Sequence, residues 1–109
     1  MSATEKILLW GETLKVTDDV KIAGVTYTIN LCKDLISEEE CFGKADFGHS
    51  RIKLDEGMSS EMKNATLLHE IIEVINSENS LKLKHQQIQC LATQLYQVII
   101  DNQEMFQND

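Results

Sequence analysis

The residues of this chain best suited to chemistry lie in one short run, Leu67-Leu68-His69-Glu70-Ile71-Ile72-Glu73. It departs by one residue from H-E-x-x-H. That pattern sets two zinc ligands four residues apart on one helical face, with a glutamate beside the first as general base. Here the second ligand position carries Glu73, and a carboxylate also binds zinc. On a helix His69 and Glu73 lie one turn apart and face the same way. Both fall at the margin of the apolar arc, the half-buried position that a metal site needs. Glu70 projects to one side, where it can take a proton from water.

A catalytic zinc needs a third protein ligand and an open position. His85 is the best-placed candidate. It lies three residues before Ile88 and seven before Ala92, and so extends the inner stripe of a second predicted helix. His69, Glu73 and His85 would together form a two-histidine, one-carboxylate set. In a tight antiparallel hairpin His85 would lie level with about Asn76, so the connection over 77–84 must carry the second helix back along the first. A plain reading stays open beside this one, with His69 as packing and His85 as a helix cap. His49 falls in a predicted turn and reads as solvated. Cys90 lies beside the inner stripe and reads as packing.

The elements that must position these groups follow from hydrophobic periodicity. Val20-Lys21-Ile22 and Val25-Thr26-Tyr27-Thr28-Ile29 alternate around Ala23-Gly24 and predict a β-hairpin. Residues 33–40 fit a loop or a short helical turn. A second hairpin is predicted from Cys41–Phe47, a Gly48-His49 turn and the alternating Arg51-Ile52-Lys53-Leu54-Asp55. Ser59 or Ser60 can cap a helix running to about Asn76, in which Leu68, Ile71, Ile72 and Ile75 keep helical spacing. Leu67 and Val74 widen its apolar arc enough to pack against both a sheet and another helix. The second helix is predicted from Lys84 or His85 to about Met105, with an inner stripe of Ile88, Leu91, Ala92, Leu95, Val98 and Ile99. The fold class expected is α+β: a small antiparallel sheet of two hairpins on a two-helix hairpin.

At 109 residues the chain has the size of one domain. Residues 1–18 read as an N-terminal arm or extra strand and 19–109 as a single domain. Hydrophobic content of 42% and charged content of 26% are ordinary for a globular protein. No apolar run approaches the ~20 residues of a membrane span, and the first residues lack the pattern of a signal peptide. Three scattered cysteines (Cys32, Cys41, Cys90) read as free thiols in a reducing compartment, so a cytoplasmic location is expected. A net charge of −8 disfavours direct binding to nucleic acid or anionic membranes, and suits a protein that occupies a basic groove on a partner.

Taken together, several segments resemble small proteins encoded by phages and prophages within the ImmA/IrrE-like, zincin-type metallopeptidase group. The resemblance rests on Ile22-Ala23-Gly24-Val25-Thr26-Tyr27, Gly43-Lys44-Ala45-Asp46, Ile52-Lys53-Leu54-Asp55, Thr66–Ile72, Leu91–Val98 and Asp101-Asn102. It spans residues 20–102 in consistent order and leaves out the first 18. It implies a minimal zincin-like domain with His69 as first metal ligand and Glu70 as general base. Two positions depart from the group's pattern. Glu73 stands where the second histidine is usual, and residues 85–100 hold no Asp or Glu for the usual downstream ligand. An H-E-I-I-E form with a histidine opening the next helix is similar to this chain, and implies one of two things: glutamate and histidine have exchanged places and the ligand set survives, or the site has decayed and the scaffold is kept for another purpose.

Three functions are therefore expected as rivals. The first is a zinc-dependent peptidase in which Glu70 is the base and an extended substrate adds to a sheet edge, such as the 51–55 strand. The second is a non-catalytic acidic phage protein that binds and inhibits a host defence protein. The third is a phage structural protein that self-associates, with Ile7-Leu8-Leu9-Trp10 as the candidate homodimer contact.

Overall fold

The computed structural model describes residues 19–106. The Ile7–Trp10 segment, and with it the expectation of an arm or extra strand over 1–18, lies outside the described residues. Within them, alternating apolar residues form the first hairpin where its sequence places it. β1 (Asp19–Ile22) and β2 (Val25–Cys32) pair antiparallel, with Val20 opposite Tyr27. Ala23 and Gly24 both take positive φ (50° and 82°), as a two-residue turn matched to the strand twist requires.

A short helix, α1 (Leu35–Glu39), then falls within the 33–40 stretch. Leu35 is buried beneath it, and the Ile36 N–H donates to Asp55 Oδ1 at 3.2 Å. The second hairpin follows: β3 (Gly43–Asp46), a 3-10 turn over Phe47–His49, and β4 (Arg51–Asp55).

The expected α+β class is what forms, but the sheet is mixed rather than all antiparallel. Its order is β1-β2-β4-β3, and the two hairpins join through a parallel β2–β4 pair that sets Ile29 opposite Ile52 and Leu31 opposite Leu54. A connection over 33–50, holding α1 and β3, is long enough for the crossover that parallel pairing needs. The physical gain is that Ile29, Ile52 and Leu54, all but inaccessible to water, meet at the centre of the sheet.

One helix covers a face of the sheet, and a second packs on the first. α2 (Ser60–Glu78) starts at Ser59, whose hydroxyl accepts the Met62 N–H at 3.2 Å. It buries two faces, as its wide apolar arc implies. Leu67 and Val74 enter the sheet core with Ile22, Tyr27, Ile29, Ile52 and Leu54. Leu68 and Ile72 pack on Ile88 and Ala92 of α3 (His85–Asp101).

α3 ends at Asp101 rather than near Met105. The backbone and side-chain N–H groups of Asn102 both donate to the Val98 carbonyl (3.1 and 2.9 Å), and a 3-10 turn over Gln103–Phe106 follows. The predicted inner stripe is also corrected. Ile88 and Ala92 are buried and Ile99 partly so, whereas Leu91, Leu95 and Val98 stay exposed: among the described residues α3 packs mainly on α2, along the Ile88–Ala92 line. Among the described residues no helix is long and apolar enough to cross a membrane.

Candidate metal centre

The separation of His85 from the His69–Glu73 pair is closed by a reversal whose key residue is Asn76. Its backbone carbonyl accepts the Leu81 N–H at 3.1 Å, and its side-chain Oδ1 accepts the Leu83 N–H at 2.8 Å. Positive φ at Ser80 (50°) and Lys82 (61°) lets the chain double back so tightly. α3 therefore starts alongside the middle of α2 rather than level with its end. Sequence reasoning missed Asn76; an asparagine inside a helix terminus followed by a polar run is the signal that points to it.

The result is a compact cluster. His69 Nε2 lies 3.6 Å from Glu73 Oε2, and His85 Nδ1 lies 4.0 Å from the same oxygen. The two imidazole rings are 5.0 Å apart between centroids, and one ligand atom from each of the three residues falls within 4.8 Å of the others. His69 is buried, Glu73 half-buried and His85 exposed, so the cluster sits at the floor of an opening to solvent.

These distances test whether a metal suits the site. Zinc bonds of ~2.0–2.2 Å at tetrahedral angles place neighbouring ligand atoms ~3.3 Å apart. The observed separations exceed that by no more than about 1.5 Å, within reach of small side-chain rotations of an exposed histidine and a half-buried glutamate. Two imidazole nitrogens and one carboxylate oxygen, converging from two helices with one side open, fit a zinc ion.

Glu70 is set apart from the ligands by its packing. It is buried on the sheet side of α2, and its carboxylate accepts the backbone N–H of Ala45 on β3. Burial, with the Glu73 charge second, pushes its carboxyl from 4.5 up to about 7 against the opposing Ala45 hydrogen bond. Gly43 makes this approach of strand and helix feasible: a Cβ there would stand 2.6 Å from Thr66 Cγ2.

Two lobes of a cleft meet at the cluster. One, of about 460 Å³, runs between Phe42, Met62, Thr66 and Gln89. The other, of about 450 Å³, is bounded by Glu39, Lys44 and Phe47. Cys41 lines both lobes, but burial and the Glu39 charge raise its thiol pKa, which leaves it protonated and a poor ligand or nucleophile at neutral pH.

His49 is placed elsewhere, at the sheet's far turn, where Nδ1 lies 2.9 Å from Asp46 Oδ2. This contact holds the Asp46 carboxyl below its usual range. Cys90 is exposed on α3 rather than packed, and all three cysteines are free.

No protein-family model matches the chain, and no curated protein or solved structure matches it either.

Proposed function

We propose that this protein is a zinc-dependent hydrolase related to the metallopeptidases, with His69, Glu73 and His85 as ligands and Glu70 as general base. The observation that carries this reading is the convergence of the three ligand atoms within 4.8 Å, beside a carboxyl whose pKa lies near neutrality. When bound, zinc at this set supplies Lewis acidity toward a carbonyl oxygen and eases the deprotonation of water.

The chain's own groups do the rest. A base works best with a pKa near the working pH, and burial raises the Glu70 carboxyl toward it, to about 7 in the metal-free chain. Its carboxylate takes a proton from the attacking water as oxygen adds to the amide carbon. It then delivers that proton to the leaving nitrogen as the C–N bond breaks. The two cleft lobes on either side of the cluster give a peptide room to extend in both directions.

The strand proposed from sequence to receive substrate is not available. β4 is paired on both edges, by β2 and β3, so 51–55 offers no free edge. The open edge beside the cluster belongs to β3, and Glu70 already holds its Ala45 N–H. Substrate therefore enters along the cleft rather than as a full added strand. The zincin resemblance and the net charge of −8, unfavourable for phosphate contacts, both favour a peptide.

The test is hydrolysis of an unfolded protein, reduced and alkylated casein, by the zinc-loaded chain. Cleavage by the wild type is expected to fall at least ~100-fold in Glu70→Gln with zinc content unchanged. Equal, zinc-independent cleavage by both forms, or none by either, contradicts the enzyme and leaves the acidic binding protein as the better reading.

A further inference from the structure

Three residues that helical periodicity marks for burial are left outside. Leu91, Leu95 and Val98 are 43, 44 and 46% exposed. They fall within about 60° of one another around α3 and form a continuous ridge. His85 lies ~80–140° round the same helix from the three ridge residues, so the ridge is turned to the side away from the metal cluster.

The surroundings of the ridge identify its partner. From His85 to Ile100 the chain holds no Asp, Glu, Lys or Arg, in a protein of net charge −8 with 26% charged residues. α3 thus carries the longest uncharged face among the described residues. Two copies of an acidic chain repel each other everywhere except along such a face. A basic partner would gain little along the ridge itself, because the carboxylates near it, Asp101 at the helix end and Glu61 beside Tyr96, lie at its border rather than on it.

We propose that the Leu91–Leu95–Val98 ridge is a homodimer contact between two copies of this chain. Gln87 and Gln94 line one side of it, both exposed, with the Gln87 Oε1 accepting the Lys84 N–H at 2.8 Å and its NH2 group left facing outward. An amide donates and accepts hydrogen bonds, so a glutamine rim is complementary to its own two-fold copy, which a rim of like charges is not. Helices with this i, i+4, i+7 spacing pack ridge into groove. A contact along a 17-residue helix runs about 25 Å and buries on the order of 600 Å² per copy, at the modest end of specific interfaces. The dimer forms and dissociates with concentration, and both metal clusters stay open to solvent because they lie on the opposite flank.

Sedimentation equilibrium of the full chain from about 10 to 500 µM tests this. Wild type is expected to rise from the 12.4 kDa chain mass to twice that value. Leu95→Glu should hold the single-chain mass throughout, with an unchanged far-ultraviolet spectrum. Val98→Glu serves as the second variant if Leu95→Glu fails to fold. A wild type that stays at the chain mass overturns the proposal. So does a dimer that survives both substitutions, or one dissociated by Leu9→Glu but not by Leu95→Glu.

Discussion

Replacing Glu70 with glutamine should stabilise the metal-free chain by about 3 kcal/mol at pH 8 and by almost nothing at pH 4. The sign follows from the direction of the shift. The Glu70 carboxyl is raised from 4.5 to about 7 in the folded chain. Between those values the folded chain keeps a proton that the unfolded chain has released. Stability therefore falls as pH climbs through that window, and the loss is complete above the folded pKa. Glutamine keeps an oxygen for the Ala45 N–H but carries no charge, so it removes the loss. Urea unfolding of both forms in chelator, at several pH values from 4 to 8, gives the difference directly. A difference that does not change with pH would show that Glu70 is not held in a protonated-favouring site. The same substitution should slow hydrolysis at least ~100-fold, so this position trades stability for chemistry, as functional sites commonly do. A cation at the triad offsets the Glu73 charge, one of the two causes of the shift, and so lowers the Glu70 pKa on binding.

His69→Ala has the other large expected effect: zinc affinity should fall at least ~100-fold. His69 is the buried member of the cluster, held in place by α2, whereas His85 is exposed. Its removal leaves one carboxylate and one exposed imidazole, too few to displace water from zinc. The fold should persist, because the lost ring borders the cleft and belongs to neither hydrophobic cluster. Competition against a chromophoric zinc chelator measures the change, with His49→Ala as the control. His49 is tied to Asp46 at the far turn and should leave affinity untouched. Equal affinity in wild type and His69→Ala would remove His69 from the ligand set.

How far such residues can be read without coordinates depends on the range of the interactions that place them. The Val20–Ile29 hairpin is legible because strand alternation and a two-residue turn are local. Pairing of β2 with β4 is not, since alternation says which side chains face the core but not which strand lies next door or in which direction. Helical spacing finds Ile88 and Ala92, and with equal force marks Leu91, Leu95 and Val98, because it records apolar positions and not the presence of a neighbour. His69 and Glu73 share a face by helix geometry alone. The approach of His85 depends instead on two positive φ angles at Ser80 and Lys82 and on the bonds to Asn76, at positions with no glycine to announce a turn. The Glu70 environment is equally hidden: its burial requires the Ala45 N–H, brought from β3 by the close packing at Gly43.

Three side chains from two helices, His69 and Glu73 on α2 and His85 on α3, are expected to hold one zinc ion. Elemental mass spectrometry of the untagged chain, dialysed after exposure to equimolar zinc, tests this most directly. One zinc per chain in the wild type, with none retained by His69→Ala, is the predicted result. A wild-type chain that emerges free of zinc would mean that His69, Glu73 and His85 do not form a zinc site.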